Sequence, residues 1–310
     1  MNAFATINFL DFASNSCRFK RSSGIFTLAT SSTVFNFPYY ITSSKKFSSD
    51  DFLITPICIS GPQLDSATIL RNLDNADLNI SGGFIQTRFG CFDCSNFITS
   101  DKFVAFRDSR SNYRLDLCLT DFEYIHTMKR DARQRIRKLL KQFHGELKLN
   151  VGNTALEIEA FSLLYDETAN RINFSSSYRF GQKDWKHLLA SSEWQLYELQ
   201  FKSKIIAACI VSSIENKGYD FTFMAHDDSF KDAPRLLIYY LRSYLRSICA
   251  EGFLDLGGGI SENDSLAKFK SRLGSKKIPF ERIRFMSKDF IERNRLDSTL
   301  INYYLQNAWP

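Results

Sequence analysis

The spacing of apolar positions changes character near residue 120. Before it, short runs alternate apolar with polar or small residues: GIFTLAT, STVFNFPYYIT and FLITPICIS within 24–60, then GGFIQTRFG, FVAFRD and YRLDLCL between 82 and 119. A period of two, broken by Gly, Ser, Asn and Pro, predicts short strands; residues 65–74 alone suggest a helix. After residue 120 the period lengthens. Ile136, Leu139, Leu140 and Phe143 fall three and four apart, which predicts one helix capped by Asp121 and running to Phe143. A second helix over 155–171 places Phe161, Leu164, Tyr165 and Thr168 on one stripe. The strands WQLYELQ and IIAACIVSS follow, joined by a turn at 202–204, and YDFTFMAH follows a turn at 216–218. A helix over 234–250 closed by Gly252, a short strand FLDL, a loop at 257–259, a helix from Asp264 or Ser265 to Leu273 and a strand over 280–285 complete the pattern. The final LINYYLQNAWP reads as an aromatic helix end. This order predicts an α/β (α+β) fold, with a mixed sheet flanked by helices over 121–310 and a β-rich lobe over 1–120.

Composition narrows the class. A chain of 310 residues suits two modest domains, and 44% apolar with 24% charged residues excludes wholesale disorder. The 29 Phe predict an aromatic core. No segment approaches the roughly 20 apolar residues of a membrane helix. The N-terminus carries Asp11 inside its apolar stretch and its basic cluster afterwards, the reverse of a secretory signal. These features, with seven scattered cysteines, predict a cytoplasmic protein with reduced thiols. The lone Cys91–Cys94 pair and the dispersed His126, His144, His187 and His226 have no metal-ligand spacing, so no metal is expected.

Two stretches carry chemistry. In LDLGGGISENDSLAKFKSRLG, residues 254–274, three glycines follow a strand and permit close backbone approach. A helix capped by Asp264 or Ser265 then presents N–H groups to an acceptor, with Phe269 and Lys270 one turn on. A tight turn with a solvated lysine pair is the plain alternative. In KRDARQRIRKLLK, residues 129–141, seven cations (Lys129, Arg130, Arg133, Arg135, Arg137, Lys138 and Lys141) oppose Asp131 alone. Such a face suits solvent, or the phosphates of a tRNA, a nucleotide-linked sugar or an anionic lipid. The net charge of +6 agrees with a phosphate-bearing partner without requiring one.

The strand ending in LDLGGG, followed by DSL and FKSRLG, resembles the C-terminal signature of the FemAB-like branch of the GNAT superfamily. The basic helix at 130–142, YDETANRINFSSSYRF at 165–180 and the strands at 194–213 and 219–226 resemble that family's elements in order, over residues 120–285. The resemblance implies two GNAT-like lobes, the first reduced. It implies transfer of an acyl or aminoacyl group onto an amine of a cell-envelope precursor, related to peptidoglycan or polysaccharide and in some cases lipid-linked. It assigns catalysis to Lys270 and Glu167, and substrate binding to Arg171, Tyr178, Gly257, Gly258, Gly259, Ser265 and Phe269. Arg130, Arg133, Arg137, Lys138 and Lys141 are the phosphate- or nucleic-acid-binding candidates. Glu167 and Arg171 also read as a plain intrahelical pair.

No bound cofactor is implied; the donor is an aminoacyl-tRNA or an acyl-coenzyme A. The segment HDDSFKDAPRLL, 226–237, lacks the glycines of a pyrophosphate loop and places Asp227, Asp228 and Asp232 before a helix, which disfavours coenzyme A electrostatically. Partners are then the envelope precursor and a tRNA, with peripheral membrane contact compatible. Two alternatives stand beside this reading: an acyl-coenzyme A-dependent N-acetyltransferase of an amino sugar or amino acid, and a non-catalytic GNAT-fold protein that binds nucleotide or RNA.

Overall fold

The computed structural model describes residues 20–29, 34–42, 52–59, 66–75, 80, 82–87, 97–174, 179–214, 218–258 and 264–301. In chain order the elements are β1 (Lys20–Ala29), β2 (Val34–Thr42), β3 (Phe52–Ile59), α1 (Ser66–Asn75), β4 (Gly82–Thr87), β5 (Phe97–Thr99), β6 (Phe103–Asp116), α2 (Asp121–Thr127), α3 (Arg130–Gln142), β7 (Leu147–Val151), α4 (Ala155–Arg171), α5 (Gln182–Leu189), β8 (Trp194–Phe201), β9 (Lys204–Ile214), β10 (Gly218–His226), α6 (Ala233–Ile248), β11 (Phe253–Asp255), α7 (Ser265–Arg272), β12 (Lys276–Ser287) and α8 (Lys288–Arg293). The mixed α/β architecture anticipated from the apolar spacing is present.

The chain forms two units. One is Ser111–Ile278; the other joins Phe9–Arg110 with Pro279–Pro310. The expected division at residue 120 ran straight to the C-terminus, whereas here the last segment clusters with the N-terminal part. Within that second unit β1, β2 and β3 pair antiparallel, β3 runs parallel to β4, and β4 pairs antiparallel with β12. Leu70 and Leu73 of α1 are buried. Asp74 at its end accepts hydrogen bonds from Ser100 Oγ at 2.9 Å and from the Lys102 amide at 3.0 Å, fixing the turn before β6.

In the first unit the sheet order is β6–β11–β10–β9–β8–β7, antiparallel except for the parallel pair β10–β11. Alternation along each strand gives the sheet two apolar faces. Tyr197, Leu199, Cys209 and Val211 pack with α2, α3 and α6 through Tyr124, Ile136, Leu139, Leu237, Leu241 and Leu245. On the other face α4 and α5 meet the sheet through an aromatic cluster. Trp185, fully buried, lies 4.8 Å from Tyr165, 5.0 Å from Phe161, 5.1 Å from Phe180 and 5.1 Å from Phe223, ring centre to ring centre. The edge-to-face angles, 63–81° for all four contacts, match the electrostatic preference of aromatic rings.

The first long helix differs from its expected form. It begins with Thr120 as cap, because Thr120 and Glu123 form a reciprocal capping box, and it breaks into α2 and α3 at Met128–Lys129. Both residues are extended (ψ 149° and 148°), and the Lys129 amide donates to the Arg272 carbonyl at 3.1 Å instead of to its own helix. FVAFRD and YRLDLCL, expected as separate strands, are parts of the single strand β6. Elements β7, α5 and α8 carry too little periodicity over their length to stand out in the sequence. The turn at 202–204 holds as expected, with Lys202 and Ser203 both at positive φ (49° and 64°), the geometry of a tight two-residue hairpin. Cys91, Cys94, the turn at 216–217 and the final nine residues lie outside the described residues.

Candidate active site

Strands β10 and β11 run side by side for three residues only, Gly218–Asp220 against Phe253–Asp255. Beyond that point β10 continues to His226. The chain after β11 turns to β6 instead: the Leu256 amide donates to the Tyr113 carbonyl at 2.8 Å, and the Tyr113 amide to the Gly257 carbonyl at 3.1 Å. A bulge between Phe221 and Phe223 further bends β10. Two parallel strands thus part at their carboxyl ends, the place where open α/β sheets hold ligands.

The last paired position is polar. Asp220 lies opposite Asp255, Asp255 opposite Arg114, and Asp220 opposite Ser212, so one row of polar side chains crosses four strands on the same face. Asp255 is fully buried. Its Oδ2 accepts from Arg114 Nε at 2.9 Å and from Asn112 Nδ2 at 3.5 Å; its Oδ1 accepts from the Gly257 amide at 2.9 Å. Thr222 Oγ1 donates to Asp220 Oδ1 at 3.3 Å.

Lys270 reaches this place from α7. Asp264 caps that helix by accepting from the Ala267 amide at 2.7 Å, and Ser265 is its exposed first residue. The Lys270 side chain is 9% exposed, and Nζ donates to the Gly258 carbonyl at 2.6 Å. Gly257 adopts φ +68°, which L side chains rarely adopt, and a Cβ there would lie 3.7 Å from Nζ. Burial lowers the Lys270 pKa to about 8, opposed by the negative charges of Asp255, Asp220 and Asp264. Phe269 is half-buried beneath the Arg235 guanidinium, 6.0 Å from its ring centre.

The other predicted residues distribute differently. Arg171 does not pair with Glu167. Its Nη2 donates to the His226 carbonyl and to His226 Nε2, each at 3.1 Å, and its Nε lies 3.5 Å from Asp228 Oδ1. With Nε2 accepting, His226 carries its proton on Nδ1 and donates it to the Asp227 carbonyl at 3.2 Å. Thr168 Oγ1 accepts from the His226 amide at 3.1 Å, so α4 clamps the end of β10. Glu167 is exposed and pairs with no described residue. Six residues of β10, about 20 Å, separate the Arg171 contact at His226 from Asp220. Arg171 and Lys270 therefore do not belong to one contact cluster. Tyr178 and Gly259 lie outside the described residues.

On α3, Ala132, Ile136 and Leu139 are buried and the cations face outward. Arg133 and Arg137 clip onto His126, Arg137 Nη2 lying 3.1 Å from His126 Nε2. Arg135 is bound by Asp232, its Nε 2.9 Å from Oδ2. Arg130, Lys138 and Lys141 remain exposed.

Each acid of the segment 227–232 has a cationic partner in the fold. Asp227 pairs with Lys204 at 2.5 Å, Asp228 with Arg171, and Asp232 with Arg135 and Arg235. Asp232 makes no capping hydrogen bond, so the start of α6 is not occupied by its carboxylate. Among the described residues no three His, Cys, Asp or Glu side chains converge as a metal site, and no helix is long and apolar enough to cross a membrane.

This mixed α/β fold, with a buried lysine on a glycine turn where two strands part, is shared in outline by solved structures. The chain is similar to FemX, with a TM-score of 0.62 at 10% identity over 90% of this chain and 91% of that one. It is also similar to L-PGS from Bacillus licheniformis (TM-score 0.55, 12% identity, 97% and 96% covered) and to the C-terminal domain assigned to a lysylphosphatidylglycerol synthetase from Agrobacterium fabrum (0.54, 13%, 95% and 97%). No family model and no curated protein sequence matches the chain.

Proposed function

We propose that this protein is a transferase that moves an acyl or aminoacyl group from an ester or thioester donor to an amine of a cell-envelope precursor. The observation that carries the reading is Lys270: a buried ammonium at the parting of β10 and β11, held by one carbonyl, with its remaining N–H donors not engaged by any described residue. In the reaction the neutral amine attacks the donor carbonyl carbon, its proton passes to the departing oxygen or sulfur, and the carbonyl oxygen carries negative charge in between. A preorganised donor in a water-poor site stabilises that oxyanion, and losing one typically costs about 10²–10³ in rate. With a pKa near 8, Lys270 is mostly an ammonium at neutral pH. Likeness of fold to FemX and to a lysylphosphatidylglycerol synthetase domain supports an envelope acceptor.

The donor is tested by thermal-shift titration of the full chain with acetyl-coenzyme A and, in parallel, with charged tRNA. A donor at a hundredfold excess over its dissociation constant stabilises by about 2.7 kcal/mol. The expected outcome is a raised melting temperature with one of the two, retained in Lys270→Ala while transfer to an envelope precursor is lost. No stabilisation by either donor overturns the reading. Stabilisation by tRNA that Arg130→Glu with Lys138→Glu abolishes, without turnover in the parent, favours the binding protein instead.

A further inference from the structure

The cluster beneath Lys270 contains charges that the oxyanion argument does not use. We propose that Asp255 and Asp220 are positioning residues for Lys270: Asp255 locks the glycine turn whose carbonyl holds Nζ, and the two carboxylates together keep the buried side chain an ammonium.

Asp255 reads the turn directly. Its Oδ1 accepts the Gly257 amide, two residues on, and this bond selects the left-handed Gly257 conformation that aims the Gly258 carbonyl at Nζ. The other oxygen is tied to Arg114 of the neighbouring strand, so the carboxylate cannot swing away. A side chain at 255 thus sets the direction of a backbone carbonyl at 258, and through it the place of a lysine twelve residues further on.

Charge balance gives the second half. Around Lys270 stand Asp255, which holds the Gly257 turn, Asp220, opposite it in the strand register, and Asp264, which caps α7, with Arg114 of β6 behind Asp255; the three acids favour the ammonium. Arg114 offsets the charge of Asp255, and a protonated Lys270 reduces the negative charge of the acids around it. Deprotonating Lys270 would leave an excess negative charge in a buried place, which is costly. Burial alone drives the lysine toward the neutral amine; the acids oppose it. A neutral amine is a weaker donor to an oxyanion, so the acidic pair preserves the form that transfer requires.

This inference rests on Lys270 as the transfer residue, but its test reads the lysine itself and needs no substrate. The full chain is pulsed with acetic anhydride at a series of pH values from 6 to 10. Acetylation of Lys270 is followed by mass spectrometry, with exposed Lys138 and Lys141 as internal references. The wild-type midpoint is expected near pH 8. In Asp220→Asn and in Asp255→Asn it falls, raising the neutral fraction of Lys270, and with it the labelling rate, about fivefold at pH 7 for one pKa unit lost, with the reference lysines unmoved. The amide introduced by Asp255→Asn retains an oxygen for the Gly257 N–H but turns its NH2 toward the Arg114 Nε donor, so this variant loses the Arg114 bond together with the charge. If Asp255→Asn does not fold, Asp220→Asn carries the test, since it leaves the glycine turn untouched. A Lys270 midpoint that stays in place or rises in the folded variants overturns the proposal. Such a result would leave the transferase reading to the donor titration, which does not depend on the acids.

Discussion

Asp227 heads a run of acids at the end of β10. Its Oδ1 accepts from the Ser229 amide at 2.8 Å and from Ser229 Oγ at 2.6 Å, while Oδ2 faces Lys204. These bonds favour the ionised form and bring its pKa down to about 2, from an ordinary value of 3.8. A carboxylate with a depressed folded-state pKa contributes stability above its unfolded pKa and loses it as the pH falls through the folded one. Asp227→Asn should therefore be less stable than the parent at pH 5–7 in urea unfolding. The difference should shrink below about pH 4 and be lost only below about pH 2; a difference independent of pH would contradict the assignment. At this scale the helix cap Asp264, the glycine turn and Lys270 were legible, because their chemistry lies within one short stretch of chain. Asp255 was not: its partner Arg114 stands 141 residues away, and only the register of β6 on β11 brings them together. The intrahelical Glu167–Arg171 pair, the plain alternative from their spacing, is absent for the same reason: the fold brings Arg171 to Asp228 and His226.

Between α2 and α3 the helical periodicity of the sequence runs on while the backbone does not. The turn that follows α7 docks here: Gly274 adopts φ +79°, and a Cβ on it would fall 2.1 Å from Thr127 Oγ1 and 3.1 Å from the Met128 amide nitrogen. Gly145, after α3, has nearly the same φ of +74° but open space around it. Gly145→Ala should cost about 1 kcal/mol, the ordinary penalty of the left-handed conformation. Gly274→Ala adds a backbone clash to that penalty and should cost about 2–4 kcal/mol. Equal losses in denaturant unfolding would show that the docking of this turn does not break the helix. The strands β8, β9 and β10 and the helices α4 and α6 were readable because each carries its period for eight residues or more. Helix α5, eight residues long, shows one buried trio, Trp185, Leu188 and Leu189, which signals a helix only once the aromatic cluster around it is known.

The N-terminal unit is completed by chain from two separate stretches, and the crossings fall inside β6 and β12. Residues 281–286 of β12 pair with 82–87 of β4, so the N-terminal unit depends on the C-terminal segment. A chain ending at residue 278 should show amide exchange in β4 faster by on the order of tenfold or more, with β8 and β9 little changed. Undisturbed β4 protection would mean that this pairing contributes nothing to the unit. The amino-acid order by itself determined the α/β class, most of the elements after residue 120 and the glycine-lysine stretch of the site, because periodicity, capping and turn chemistry act over a few residues. Only the tertiary structure decided that Asp255 meets Arg114 and Asp220, where the first helix breaks and that the C-terminal segment belongs with the N-terminal unit. Those outcomes follow from strand register and docking between residues far apart in the chain, where burial and charge pairing outweigh local preference.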